Sequence, residues 1–226
     1  MTLFKNKKMN KKGFIFDLDG VIVDTAKYHF LAWQKLAKGL DIDFTEEENE
    51  QLKGVSRVRS LEKILAWGNK TISQELFNDL MGKKNEEYLN YIAEMDENEI
   101  LPDVPRVLNT LKENKQPISL GSASKNARTI LERVNLMSNF DAIVDGNDVT
   151  KAKPDPEVFL IAAKELNIKP EDCIVFEDSV AGVTAANTAN MISIGIGSKD
   201  VLGHADYIFN DFTEISDDFI KSLIEN

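Results

Sequence analysis

Apolar and polar positions along this chain follow two different periods, and the switches between them outline the fold. Gly13-Phe-Ile-Phe16 ends in an unbroken apolar run, the pattern of a short strand buried on both faces. From Ala26 the period becomes helical: Tyr28, Leu31, Ala32, Trp33 and Leu36 mark one side of a helix over Ala26–Ala37. Thr45 followed by three glutamates is a helix start, with acids where the helix dipole favours them. Ser56–Trp67 and Ser73–Tyr91 also carry helical spacing, and no strand pattern occurs between Val23 and about Leu101. Beyond Pro102 the two patterns alternate. Helices are expected at Val104–Glu113, Asn126–Val134, Asp155–Leu166, Ser179–Thr188 and Phe212–Ile224. Strands are expected at Pro117–Gly121, Ala142–Val144, Ile174–Phe176, Met191–Ile196 and Tyr207–Phe209. Such alternation predicts an α/β fold with a parallel sheet and right-handed crossovers. The strand at Phe14 belongs to that sheet, so a helical insert of roughly seventy-five residues, a small-domain size, interrupts the core after its first strand.

Composition narrows the class without changing this outline. The 226 residues are 42% hydrophobic and 29% charged, as in ordinary globular enzymes. A net charge of −11 argues against nucleic-acid binding and requires any anionic substrate to meet a local cluster of Lys and Arg. Cys173, the single cysteine, sits in an apolar strand pattern and is expected to be structural. Residues 1–12 form a Lys-rich tail without the apolar run of a secretory signal, and no segment is apolar enough to cross a membrane. The expectation is a cytoplasmic, monomeric protein with no nucleic-acid or membrane partner.

Chemistry concentrates where predicted strands end. Asp17 and Asp19 follow Phe16 at i and i+2, so both carboxylates leave one face at the strand's carboxyl end, where open α/β sheets bind ligands. Two carboxylates this close call for a shared cation or a shared proton. An EF-hand is excluded, because Gly20 comes too early and the later loop ligands are missing. Gly121-Ser-Ala-Ser-Lys-Asn126 runs into a helix, a place where backbone N–H groups meet anions. Lys153 is stiffened by Pro154 and Pro156, and Glu177-Asp178 follow a buried strand. Each segment alone reads equally as a cap or a solvated loop. Together, on successive strand ends, they describe one device. Asp17 is a carboxylate nucleophile able to carry a phosphoryl group, and Asp19 is a general acid and base. Asp17, Asp178 and an oxygen at Asp19 supply hard ligands for Mg2+, with Glu177 as a further ligand or an outer partner. Ser122, the Ala123 N–H and Lys153 hold the transferring phosphoryl oxygens.

In these motifs and their order the chain resembles the haloacid dehalogenase superfamily of phosphotransferases. The resemblance implies a Rossmannoid parallel-sheet core from residues 13–24 and 100–226, with residues 25–99 as a helical cap. Within the insert, Asp24-Thr-Ala-Lys-Tyr-His29, Trp33, Leu52-Lys53-Gly54-Val-Ser-Arg57 and Lys83-Lys84-Asn85 resemble the β-phosphoglucomutase branch, as does Ser122-Ala123-Ser124-Lys125-Asn126. That branch implies isomerisation of β-D-glucose 1-phosphate to glucose 6-phosphate through an aspartyl phosphate, with glucose 1,6-bisphosphate as primer and Mg2+ as cofactor. A substrate that reacts at either end needs a second phosphate site. Arg57 offers a bidentate fork for it, and Ser124, Lys125 and Asn126 could complete it. His29 would hold Asp19 in one conformation, Lys53, Gly54 and Lys84 would meet the sugar or the seam, and Trp33 would form an apolar wall. The same core also fits a Mg2+-dependent sugar-phosphate phosphatase, or a phosphate-responsive protein without turnover.

Overall fold

Phe14 and Phe16 point to one side of their strand and Ile15 to the other, and all three are fully buried. This strand, β1 (Gly13–Phe16), therefore lies inside a three-layer molecule. The computed structural model describes residues 11–225. The basic tail read at 1–12 falls outside them except for Lys11 and Lys12. Lys12 is anchored, its Nζ 2.9 Å from Asp172 and its N–H donating to Gln116 Oε1.

Six parallel strands form one sheet in the order β3-β2-β1-β4-β5-β6. The others are β2 (Ile118–Gly121), β3 (Ala142–Val144), β4 (Cys173–Glu177), β5 (Ile192–Ile196) and β6 (Tyr207–Phe209). Phe14 pairs with Ile118 on one side and Ile174 on the other, so β1 is where the strand order turns back. The crevice of an open α/β sheet opens at that point.

Both faces are covered by helices. One face receives α5 (Val104–Glu113), α6 (Ala127–Arg133) and α10 (Asp217–Glu225). Val104, Val107, Leu108 and Leu111 on α5 are buried at i, i+3, i+4 and i+7, a stripe wide enough to cover the sheet. The rings of Phe16 and Phe176 stack at 4.5 Å beneath it. The opposite face receives α7 (Glu157–Glu165) and α8 (Val180–Thr188), whose buried Ala162, Ala163, Ala185 and Ala186 permit close approach. Cys173 lies on this face, its thiol pushed up to about 12 chiefly by burial, in keeping with a structural role.

Between β1 and β2 the chain forms α1 (Ala26–Lys38), α2 (Glu46–Glu50), α3 (Arg57–Trp67) and α4 (Gln74–Ala93), with no strand among them. These helices have a core of their own around Trp33, Phe44, Leu61 and Ile64. Thr45 and Glu48 exchange side-chain bonds to each other's N–H, the capping box that the Thr-Glu-Glu-Glu pattern offered. The chain enters and leaves the insert along a paired two-residue ribbon. Asp24 N–H donates to the Glu99 carbonyl, and Leu101 N–H to the Ile22 carbonyl.

Two local differences from the sequence reading have identifiable causes. The closing helix does not begin at Phe212: a 3-10 turn occupies Phe212–Glu214, and α10 starts at Asp217. Arg106 intervenes, donating from Nη2 to the carbonyls of Phe212 and Ile215 and so capturing groups that a continuous helix would use. A single-turn helix, α9 (Lys199–Leu202), also stands between β5 and β6, started by Ser198 as its cap.

Candidate active site

Polar side chains gather at the carboxyl ends of β1, β2 and β4, beneath the insert. They line a cavity of about 440 Å³ to which both the sheet and the helices α1, α3 and α4 contribute. Of the residues singled out in the sequence, Asp17, Asp19, His29, Trp33, Leu52, Lys53, Gly54, Arg57, Lys84, Ser122, Ala123, Ser124, Lys125, Asn126, Lys153 and Asp178 all line it. Glu177 stands behind that wall, fully buried.

Lys153 organises the floor. Its Nζ donates to Asp17 Oδ1 at 2.7 Å and to Glu177 Oε1 at 2.6 Å. Burial alone would strip its charge, yet the two carboxylates hold its pKa above the usual lysine range. Asp17 is raised to about 7, mainly by burial and further by Glu177 and Asp19, against the pull of Lys153. Asp178 is pushed well up by burial and then by Glu177 and Asp17. Lys153 occupies Oδ1 of Asp17 and leaves Oδ2 outside that bond.

A divalent cation fits this floor. Asp17, Glu177 and Asp178 each present an oxygen, and the three lie within 4.8 Å of one another. The donors are hard carboxylates whose mutual repulsion a dication would relieve. Gly20, at φ +78°, makes the arrangement possible, because a Cβ there would overlap Asp178 Oδ2. Glu177 is already committed, with Oε2 accepting from both the N–H and the hydroxyl of Ser179. That commitment favours Asp17 and Asp178 as direct ligands, with Glu177 behind them.

Asp19 is held from the insert. The Thr25 hydroxyl donates to its Oδ1, and His29 Nε2 lies 4.0 Å from the same oxygen. Burial and then the charges of Lys84 and Arg57 push His29 well below the usual histidine range, so the ring is neutral. Its Nδ1 lies 2.9 Å from Lys84 Nζ, and when the lysine ammonium donates there the ring proton sits on Nε2, towards Asp19. Enclosure raises the Asp19 pKa, against the Thr25 bond, towards a group that can both take and give a proton. Lys84 is buried with its Nζ over the rings of Trp33 and Tyr88, and is lowered to about 7 by burial and then by Arg57. Trp33 thus serves both the insert's core and the cavity wall.

The rest of the cavity favours anions. Arg57, at the start of α3, is partly buried and forms no ion pair among the described residues. Its pKa is lowered by that burial. Ser124 N–H donates to Ser122 Oγ, and Asn126 N–H to Ser124 Oγ, which folds Ser122–Asn126 into a tight loop before α6. The loop after β3 braces it from below: Gly146 N–H donates to the Ser124 carbonyl and Asn147 Nδ2 to the Lys125 carbonyl. Asp145 and Arg128, 3.2 Å apart, in turn secure that brace.

A family model of haloacid dehalogenase-like hydrolases matches residues 11–190. The chain belongs to the haloacid dehalogenase-like hydrolase family. As a member it is an enzyme, and its relatives narrow its type. It is 42% identical to the β-phosphoglucomutase of Bacillus subtilis (strain 168), over 91% of this chain and 92% of that protein. The crystal structure of a β-phosphoglucomutase from Clostridium difficile superposes with a TM-score of 0.90 at 42% identity, covering 95% of this chain and 97% of the other. A phosphorylated carbohydrates phosphatase of Thermotoga maritima is 30% identical over 78% of this chain and 81% of its own. The fold is therefore that of the haloacid dehalogenase-like hydrolases, and a sugar-phosphate substrate is consistent with the relatives.

Three residues of this family member were not singled out from sequence. Thr25 occupies the N-cap of α1 but makes no capping bond, because its hydroxyl goes to Asp19 instead. Tyr88 is buried against His29, and its hydroxyl, at the cavity wall, has no partner among the described residues. Asn85, quoted in sequence only as a neighbour of Lys84, reaches the Ser122–Asn126 loop through Asn126. An N-cap threonine and a helical tyrosine are ordinary in sequence, so only tertiary placement reveals their positions.

Proposed function

We propose that this chain isomerises β-D-glucose 1-phosphate to glucose 6-phosphate through β-glucose 1,6-bisphosphate, with Asp17 as the phosphoryl carrier. One observation carries the reading. A single cavity holds a floor at Asp17 and Lys153 suited to phosphoryl transfer and also a partly buried guanidinium at Arg57, without an ion pair among the described residues, beside the Ser124–Asn126 loop. A hydrolase that removes one phosphate needs only the first; a bisphosphate that reacts at either end uses both. The 42% identity to the B. subtilis β-phosphoglucomutase supports the same reading.

The chemistry follows from the groups present. Asp17 Oδ2 attacks phosphorus while Lys153 keeps Oδ1 turned away. Ser122, the Ala123 N–H and Lys153 neutralise the equatorial oxygens. In the forward half-reaction the C6 hydroxyl oxygen bonds to phosphorus, the Asp17–phosphorus bond breaks and the hydroxyl proton passes to Asp19. In the return half-reaction C1–O–phosphorus is cleaved onto Asp17, and Asp19 returns the proton to the leaving oxygen. Bound between Asp17 and Asp178, Mg2+ would supply positive charge to the transferring phosphoryl oxygens. Thr25 and His29 orient Asp19 for both proton transfers.

Phosphorus NMR tests this directly, with enzyme, Mg2+, β-glucose 1-phosphate and a trace of glucose 1,6-bisphosphate. Growth of glucose 6-phosphate with little inorganic phosphate is the expected result. Inorganic phosphate alone would reassign the chain as a sugar-phosphate phosphatase, the activity that the Thermotoga relative's name carries.

A further inference from the structure

Asn85 lies on α4 in the insert, and Asn126 lies in the phosphate loop of the core. Asn126 Nδ2 donates to Asn85 Oδ1 at 3.0 Å, across the space between them. Asn126 stands at the N-cap position of α6 yet makes no capping bond, so its side chain is spent on the insert and not on its own helix. The backbone beneath it is fixed, because Ser124 Oγ accepts its N–H and the 145–148 loop holds the Ser124 and Lys125 carbonyls. The other polar links between insert and core lie elsewhere. Lys53 meets Asp178 at 3.7 Å and Thr25 and His29 meet Asp19, all over the candidate reacting carboxylates, while Asn135 donates to Glu97 outside the cavity.

An amide nitrogen carries two protons. One Asn126 proton goes to Asn85, and the other, without an acceptor among the described residues, is available to a phosphate oxygen seated on the same loop. A phosphate that accepts this second proton fixes the amide plane and so aims the first at Asn85. The two bonds polarise one amide and strengthen each other. By linkage, whatever the phosphate does for the bridge, the bridge does for phosphate affinity.

We propose that Asn85 is a positioning residue that sets acceptor specificity: through Asn126 it makes closure of the insert respond to a phosphate held at the Ser124–Asn126 loop. This rests on the two-phosphate reading above. Sugar hydroxyl and water are alike as nucleophiles, so preference for the sugar has to come from which of them closes the site. A bridge completed by the acceptor's own phosphate gives that preference to phosphorylated sugars alone. The step affected is transfer from Asp17, in which the acceptor oxygen bonds to phosphorus, the Asp17–phosphorus bond breaks and the acceptor proton goes to Asp19.

The test begins with enzyme charged by labelled acetyl phosphate in Mg2+. Decay of the phosphoenzyme is followed by rapid quench in water alone, with glucose and with β-glucose 1-phosphate. Wild-type phosphoenzyme is expected to transfer fastest to β-glucose 1-phosphate. Asn85→Ala should slow that transfer by about 3- to 10-fold, the worth of one hydrogen bond. Transfer to glucose and to water should stay within about twofold, since neither brings a second phosphate to the bridge. Asn85→Ala should add nothing in an Asn126→Ala background. Alanine is favoured within a helix, and a thermal scan verifies that the variant folds. Equal losses on glucose and glucose 1-phosphate, or additive effects in the double variant, overturn the role of Asn85. A wild-type phosphoenzyme with no preference for glucose 1-phosphate overturns the two-phosphate reading itself, before any variant is made.

Discussion

At the scale of single residues, the site is a balance of charges that burial alone would not permit. Lys153 sits between Asp17 and Glu177 and donates to both, and those two side chains hold its charge against burial. Asp17→Asn keeps the shape and removes the nucleophile. Turnover should fall by about 10³-fold or more, while the thermal midpoint moves by only about 3 °C; near-native activity would show that another group carries the phosphoryl. Lys84 makes a different prediction. Its pKa is lowered to about 7, so above that pH it is increasingly neutral in the ligand-free protein. A phosphate dianion entering the cavity draws a proton onto it. Sugar-phosphate binding at pH 8 should therefore take up close to one proton, and affinity should fall as pH rises beyond 7. Titration calorimetry in two buffers of different ionisation enthalpy reads this uptake, and a buffer-independent heat would exclude it. The sign for stability is opposite. Below about pH 7 Lys84 is charged folded and unfolded, and burial opposes folding in full. Between about 7 and its ordinary 10.5 only the unfolded chain holds the proton, so this contribution to stability rises with pH.

Elements differ in how far their sequence reveals them. The sheet and most helices follow local pattern: the stripe on α5 and the capping box at Thr45 are written in residues three and four apart. Strand ends also betray the candidate site, because a carboxylate at i and i+2 needs no partner from elsewhere to face one way. What the pattern does not carry is anything made by two distant segments. The break after Phe212 arises from Arg106, and the roles of Thr25, Tyr88 and Asn85 arise from laying α1 and α4 over the sheet. Arg106 offers an element-scale test. Its guanidinium joins Asp103 and Asp217 as well as the two carbonyls, tying α5 to α10. Arg106→Ala should lower the thermal midpoint by about 3–6 °C and accelerate amide exchange in α10, with exchange in the β4 strand little changed. Uniform acceleration across the sheet would mean that the tie supports the whole fold.

For the whole molecule the governing relation is that between insert and core. They are joined by the paired linkers at Ile22–Asp24 and Glu99–Leu101, and they touch above the reacting carboxylates. Gly54 packs tightly against the core: its φ is +69°, and a Cβ there would come within 2.5 Å of Ser179 Oγ. Gly54→Ala should hold the insert away from the core. Water would then compete for the aspartyl phosphate, and inorganic phosphate released per glucose 6-phosphate formed should rise by roughly an order of magnitude. A coupled assay of both products measures this ratio, and an unchanged ratio would remove the seam from the account of water exclusion.

The central place of β1 has a consequence for how the chain is made. Its residues leave the ribosome before the rest of the sheet, and both of their partners, at Ile118 and Ile174, are encoded far downstream. At ordinary synthesis rates the first partner follows after roughly ten seconds. The helices of the insert, whose contacts are local, can fold meanwhile, so for that interval the nascent chain carries a finished small bundle behind an unpaired Phe-Ile-Phe edge. Slowing translation between β1 and β2 should therefore raise aggregation, whereas slowing it after β4 should not.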